Sequence, residues 1–143
     1  MELVCQTNVQ SVRACDVDKL GKLDLRPHII TRRYAEFCSA ISGLNERFFI
    51  RPRSIFDPSF SFPDQRIENI LDSLGAEVEL CVSRMASIFP DPRSKLIFLI
   101  NNYDMLLGVI SLNKKHDDAS NSVYRFDSAL RAVEAEFVGK FFF

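Results

Sequence analysis

Few residues in this sequence have types and spacing that could do chemistry. Asp104 is a carboxylate inside the apolar run Leu96–Leu112, LIFLINNYDMLLGVISL, where Asn101 and Asn102 stand beside it. A buried carboxylate acts as acid or base only with a second titratable group in reach. None stands three or four positions from Asp104. His28 follows Pro27 at a helix start, and His116 lies in the polar stretch Lys114 to Asn121, KKHDDASN. Neither belongs to a motif, so a surface or capping role is expected of both. Cys5, Cys15, Cys38 and Cys81 include no C-x-x-C spacing and no histidine companions, which predicts reduced, buried thiols rather than a disulfide framework or a zinc site. A Gly-rich phosphate loop, G-x-S-x-G and H-E-x-x-H are all missing from the sequence. The residues therefore predict no enzyme, no metal and no cofactor.

Composition narrows the class further. The 143 residues suffice for one domain, and positions 1–143 read as a single helical-bundle domain. A net charge of −1 gives no basic excess for nucleic acid or for a purely electrostatic hold on anionic lipid. Phenylalanine is over-used at 13 residues, against 5 glycines, which suits helix-on-helix packing or a surface that expects a partner. The N-terminus has no basic stretch followed by an apolar one, so no signal peptide is read. Leu96–Leu112 falls short of the ~20 residues a membrane span needs and carries polar groups at mid-depth.

Periodicity supplies the elements that must position these residues. A weak helical pattern covers Met1 to about Cys15, with Cys5, Val9 and Val12 on one face; it reads as the tail of a longer element. Asp16, Asp18, Gly21 and Pro27 break it. A second helix is predicted from about Pro27 to Leu44. Ile30, Tyr34, Phe37, Ile41 and Leu44 share its face, Pro27 lies in its first turn, Arg32 and Glu36 form an i,i+4 pair, and Gly43 and Asn45 stop it. Asn45 to Pro63 reads as a long loop rich in Phe and Pro, either folded back over the core or docking a partner. The third helix, about Asp64 to Phe89, has a heptad seam at Ile67, Leu71, Leu74, Val78, Cys81, Met85 and Ile88. Ser61 and Asp64 have the spacing of a capping box, and Gly75 lies off the seam. The seam is expected to pair within the chain. Pro90-Asp91-Pro92 ends this helix and begins a fourth, Pro92 to about Asn113. The last helix, from Ser122, places Val123, Phe126, Leu130, Val133 and Phe137 on one face.

The fourth helix is expected to be the central one. On a helical wheel, Leu96, Leu99, Ile100, Tyr103, Leu106, Leu107 and Ile110 cover one broad face. Asn101, Asp104, Gly108 and Ser111 form a stripe opposite, and Asn102 falls among Phe98, Met105 and Val109. Asn102 is then a buried amide that must find a partner, and Gly108 would admit a close neighbouring backbone. These polar residues read as packing groups that set helix register, not as an active site.

Two segments carry a resemblance. TRRYAEF, comprising Thr31, Arg32, Arg33, Tyr34, Ala35, Glu36 and Phe37, resembles a segment of the vacuolar protein sorting-associated fifty-two family. FLINNYDMLLGV, Phe98 to Val109 with Asn101, Asn102, Tyr103, Asp104 and Gly108, is similar to that family's FLINNYDMMLGVL segment. Glu77 to Arg84 is similar in pattern, so the likeness spans about Leu20 to Phe137. The resemblance implies an all-α fold, an elongated bundle of four to five helices in a rod-like leg of a tethering complex. It also implies a non-catalytic subunit of the Golgi-associated retrograde protein complex, acting in retrograde transport from endosomes to the trans-Golgi network and promoting SNARE-mediated fusion. The implied partners are the other tethering subunits, SNAREs and small GTPases, at the cytosolic face of the Golgi and endosomes, peripheral to the membrane. The family's members are much longer, with an N-terminal coiled-coil region, so this chain reads as a piece of the C-terminal half. The competing reading is a freestanding helical adaptor that docks through its Phe-rich loop.

Overall fold

Alternating steps of four and three from Ile67 to Met85 lay a continuous apolar stripe along one helix. In the computed structural model of the chain that helix is the centre of the fold. The structure describes residues 2–49, 65–112 and 121–142. They form five α-helices and no strand: α1 (Glu2–Arg13), α2 (Ile29–Phe49), α3 (Gln65–Ala86), α4 (Pro92–Ser111) and α5 (Asn121–Phe141), with a short 3-10 turn at Val17–Lys19 after α1. The all-α class expected from the periodicity is what is found.

Among the described residues α3 packs against all four other helices, α4 packs against three, and α1 against α3 alone. The expectation that Leu96–Leu112 is the central helix is therefore corrected. The cause is the width of the α3 stripe: Leu71, Leu74, Val78, Cys81 and Met85 are buried, and Val82 and Ala86 beside them are buried too. Ile88, the last residue of the expected seam, is largely exposed beyond the helix end. The seam pairs within the chain, as expected.

The helix limits differ from the sequence reading in instructive ways. α2 begins at Ile29, so Pro27 lies outside it and not in its first turn. α2 then runs through Gly43 and Asn45 to Phe49. A glycine stops a helix by taking a positive φ, and Gly21 is the one described glycine that does so, at φ 80°. Gly21 instead closes the turn before α2. The inward face of α2 is Thr31, Tyr34, Ala35 and Cys38, while Ile30, Phe37 and Ile41 are half-buried at its border. Arg32 and Glu36 are both exposed and make no ion pair with each other, contrary to the expected i,i+4 contact. The expected Phe48–Pro63 loop starts inside α2; its remainder lies outside the described residues, as do the capping pair Ser61 and Asp64, His116 and the Cys5 side chain.

The turn between α3 and α4 works through an acid the sequence reading did not single out. Asp91 is the N-cap of α4, accepting from the backbone N–H groups of Arg93 and Ser94 at 3.3 and 3.0 Å. Pro92 fills the first helical position, where a missing N–H costs nothing. These bonds hold the Asp91 carboxyl below the usual carboxylate range, with the Ser94 hydroxyl and backbone as the largest cause.

The core closes on Phe126 of α5, fully buried between two tyrosines. Tyr34 meets it edge-on at 5.9 Å between ring centroids, and Tyr103 lies tilted at 6.1 Å. Burial of such a ring contributes about 3 kcal/mol, and the paired rings add roughly 1 kcal/mol. Gly75 makes room for this arrangement. A Cβ placed on Gly75 would lie 2.6 Å from the Tyr34 hydroxyl. The glycine that reads in sequence as a weak point of α3 is the slot that receives a tyrosine from α2.

Gly75→Ala should therefore lower stability by about 1–3 kcal/mol, against the ~1 kcal/mol that alanine normally gains in a helix. Tyr34→Phe removes the obstructing hydroxyl, which is itself buried and has no hydrogen-bond partner among the described residues. The double variant should then recover most of the loss in urea denaturation. Additive losses would show that the two positions do not meet.

Candidate functional site

The two family-like segments meet where α2 begins against α4. Asn102 is fully buried. Its Nδ2 donates to the Phe98 carbonyl one turn earlier at 2.8 Å, and its Oδ1 accepts from the His28 backbone N–H at 3.0 Å. Asn101, half-buried, donates to the Leu25 carbonyl at 2.8 Å. Adjacent amides on α4 thus grip the segment leading into α2. The wheel buries Asn102 and leaves Asp104, Gly108 and Ser111 exposed, as observed, but Asn101, expected on the same outward stripe, is half-buried because it reaches the Leu25 carbonyl. Among the described residues no neighbouring element comes within 4 Å of where a Gly108 Cβ would stand, so the expected close approach of a backbone is not found there. The reason lies in its place on the outward stripe of α4.

His28 is the N-cap of α2. Its carbonyl accepts from Arg32 N–H at 3.1 Å and its Nδ1 accepts from Ile30 N–H at 3.2 Å. The ring proton therefore sits on Nε2. Burial pushes the His28 pKa down, with Asp24 acting weakly against it. The expected capping role is found, but its link to Asn102, 74 positions away, had no signal in the sequence.

The signature residues divide into two sets. Thr31, Tyr34, Asn102 and Tyr103 point inward, with Phe37 and Asn101 at the border. Burial raises the Tyr34 hydroxyl far above the ordinary phenol range, with Cys38, Ser122 and Asp72 around it. Tyr103 is raised too, by burial first. Arg32, Arg33, Glu36 and Asp104 are exposed, and their side chains make no hydrogen bond or ion pair with any described residue. Among the described residues no three His, Cys, Asp or Glu side chains are grouped to hold a metal, and no helix is long and apolar enough to cross a membrane.

A second structural centre lies at the end of α1. Arg84 of α3 donates to the carbonyls of Val12, Arg13 and Cys15 at 3.1, 3.4 and 3.1 Å, satisfying groups that a helix C-terminus leaves open. Arg13 returns a bond to Glu77 of α3 at 2.7 Å. Sequence reasoning missed this corner because an arginine that caps a helix some 70 positions away looks like any surface arginine.

Comparison with known proteins gives a consistent picture. The family model described as Vps52, C-terminal, matches residues 1–138. The vacuolar protein sorting-associated protein 52 homolog of Homo sapiens is 43% identical over 137 residues, covering 96% of this chain and 17% of its own length. Vacuolar protein sorting-associated protein 52 A of Arabidopsis thaliana is 27% identical over the same span, and the Caenorhabditis elegans homolog is 34% identical over 113 residues, covering 77% of this chain and 14% of its own. The chain thus spans about a sixth of the human relative. No solved structure matches it.

Asn102→Asp should destabilise the chain more than Asn101→Asp. It removes the donor to Phe98 and buries a charge, a loss of about 3 kcal/mol or more. The loss for Asn101 should be about 1 kcal/mol. Equal melting temperatures would refute this. The lowered His28 pKa gives a second check. The cap is intact above the ordinary pKa of 6.5, and stability falls as pH drops below that value towards the folded-state pKa. The decline should vanish in His28→Asn, which caps without titrating in this range.

Proposed function

Because the chain belongs to the Vps52 family through its C-terminal region, we propose that it is a non-catalytic section of a vesicle-tethering subunit. In this reading the domain is one segment of a helical rod. It acts in retrograde transport from endosomes to the trans-Golgi network, at the cytosolic face of the membrane and without spanning it. Other tethering subunits are its direct partners, and SNAREs and small GTPases are engaged by the complex it belongs to.

One observation supports this reading most. Arg32, Arg33, Glu36 and Asp104 belong to the segments that resemble the family, yet they are exposed and their side chains make no hydrogen bond or ion pair with any described residue. Side chains that are exposed and unpaired within a fold are available to a partner's surface. Their mixed charge suits a polar protein interface, where electrostatics steers association and fixes orientation. It does not suit an anionic lipid or nucleic acid.

The test is a double charge reversal, Arg32→Glu with Arg33→Glu, in the full-length subunit. Exposed substitutions of this kind change stability by about 0.5 kcal/mol or less, so the melting temperature of the domain should hold. Co-purification of the other tethering subunits should drop. Undiminished recovery of those subunits would remove this face from the interface.

A further inference from the structure

Among the described residues α4 packs against three other helices. Along the side it leaves open, Asp104, Gly108 and Leu112 stand four apart, and all three are exposed, Leu112 most of all at 81%. Leu112 keeps helical backbone angles at the C-cap, so the spacing holds to the last of them. Side chains four apart form one ridge on a helix surface. This ridge has a carboxylate at one end, a bare aliphatic side chain at the other and a notch between them.

The notch has no use within the described fold. Gly108 takes no positive φ, and no described neighbour comes within 4 Å of its Cβ position. Gly75 shows what an internal use looks like, since Tyr34 occupies the space there. A glycine inside a helix is destabilising relative to alanine. α4 is therefore weakened at Gly108 with no compensating contact among the described residues. The two ends of the ridge are as open. Asp104 makes no hydrogen bond or ion pair with any described residue. Leu112 leaves water only by meeting another surface.

We propose that this ridge is the seat of one helix from another tethering subunit, crossing α4 at Gly108. The inference rests on the tethering reading and names where on the α2–α4 face the partner packs. A bulky apolar side chain of that helix enters the notch, which lets the two axes draw towards the ~8 Å of close helix packing. Leu112 is buried beside the crossing. A Lys or Arg one turn along the partner meets Asp104 and fixes the direction of the crossing. A second copy of the same ridge offers Asp104 no cation, so the occupant is a different chain. It is an amphipathic helix, apolar at the crossing and basic at the Asp104 end.

The experiment compares wild type, Gly108→Ala and Gly43→Ala. In the 143-residue chain, Gly108→Ala should raise the melting temperature by about 3 °C, since helix propensity improves and no described neighbour is displaced. In the full-length subunit the same change should lower recovery of the other tethering subunits about fivefold or more, because a methyl group stands where the partner's side chain enters. Gly43→Ala, also inside a helix with no described neighbour, should leave recovery unchanged. A photo-crosslinking residue placed at Leu112 should link to a peptide of another tethering subunit that carries a basic residue within about two helical turns of the link.

A lower melting temperature for Gly108→Ala puts the use of the glycine inside the fold and overturns the proposal. Links to peptides of this chain alone overturn it, as does an equal loss of recovery in Gly43→Ala. Full recovery by Gly108→Ala also overturns it, and leaves the tethering reading standing. If the wild-type subunit recovers no other subunit, the tethering reading falls and this inference with it.

Discussion

One buried amide sets the position of α2. The Oδ1 of Asn102 takes the backbone N–H of His28, the residue that caps α2. The amide cannot lose this partner cheaply, because water does not reach the site. Fixing His28 fixes the axial register of everything after it. Six positions on, Tyr34 arrives over Gly75, and its ring meets Phe126. A register shift of one residue would swing Tyr34 about 100° away from that slot. Helix ridges and grooves alone tolerate small slips between helices; a directional hydrogen bond does not. The polar contacts that α5 makes with α3 are less demanding. Ser122 to Asp72 at 3.1 Å and Arg125 to Glu79 at 3.4 Å tie α5 to α3, but both are partly open to solvent, where such contacts are worth little.

What the sequence reveals of this arrangement is what short-range periodicity can encode. The α3 seam and the two-sided burial of α4 follow from spacing alone, because one helix carries all the residues involved. Asn102 is legible as a buried amide for the same reason. Its partner is not, since His28 reaches it only through the fold. Gly43 and Gly75 show the limit most plainly. By local propensity both are helix-weakening residues. In the structure Gly43 lies within α2 with no described neighbour against it, and Gly75 is a receptor for a ring from another helix. Glycine identity does not say which use applies; the neighbour across the interface decides. Arg84 and Asp91 were missed for opposite reasons. Asp91 sits between two prolines whose own helix-breaking signal already accounts for the turn. Arg84 acts on a helix that only the tertiary structure brings near.

The division of the signature segments into inward and outward residues bears on how such a domain can serve a larger assembly. Thr31, Tyr34, Asn102 and Tyr103 are buried, and the Asn102 amide bonds specify how α2 meets α4. Arg32, Arg33, Glu36 and Asp104 lie at the surface of the same two helices. Because α2 and α4 are locked to each other by Asn102, the outward charges hold a fixed relation. A partner would meet a rigid pattern rather than a set of independent side chains. That is what a scaffold requires, and it needs no cavity or reacting group.

The attachment of α1 carries a consequence for biosynthesis. Its contacts to α3 join positions 64 to 72 apart. A chain made from its N-terminus therefore completes α1 long before the helix that holds it. Through that interval the face bearing Val9 and Val12 has no described helix to bury it, and the last carbonyls of α1 have no Arg84 to receive. The α3–α4 pair, joined by a turn of a few residues, can form at once, since closing a short loop costs little entropy. Of the helices described, α1 is made before the one that holds it.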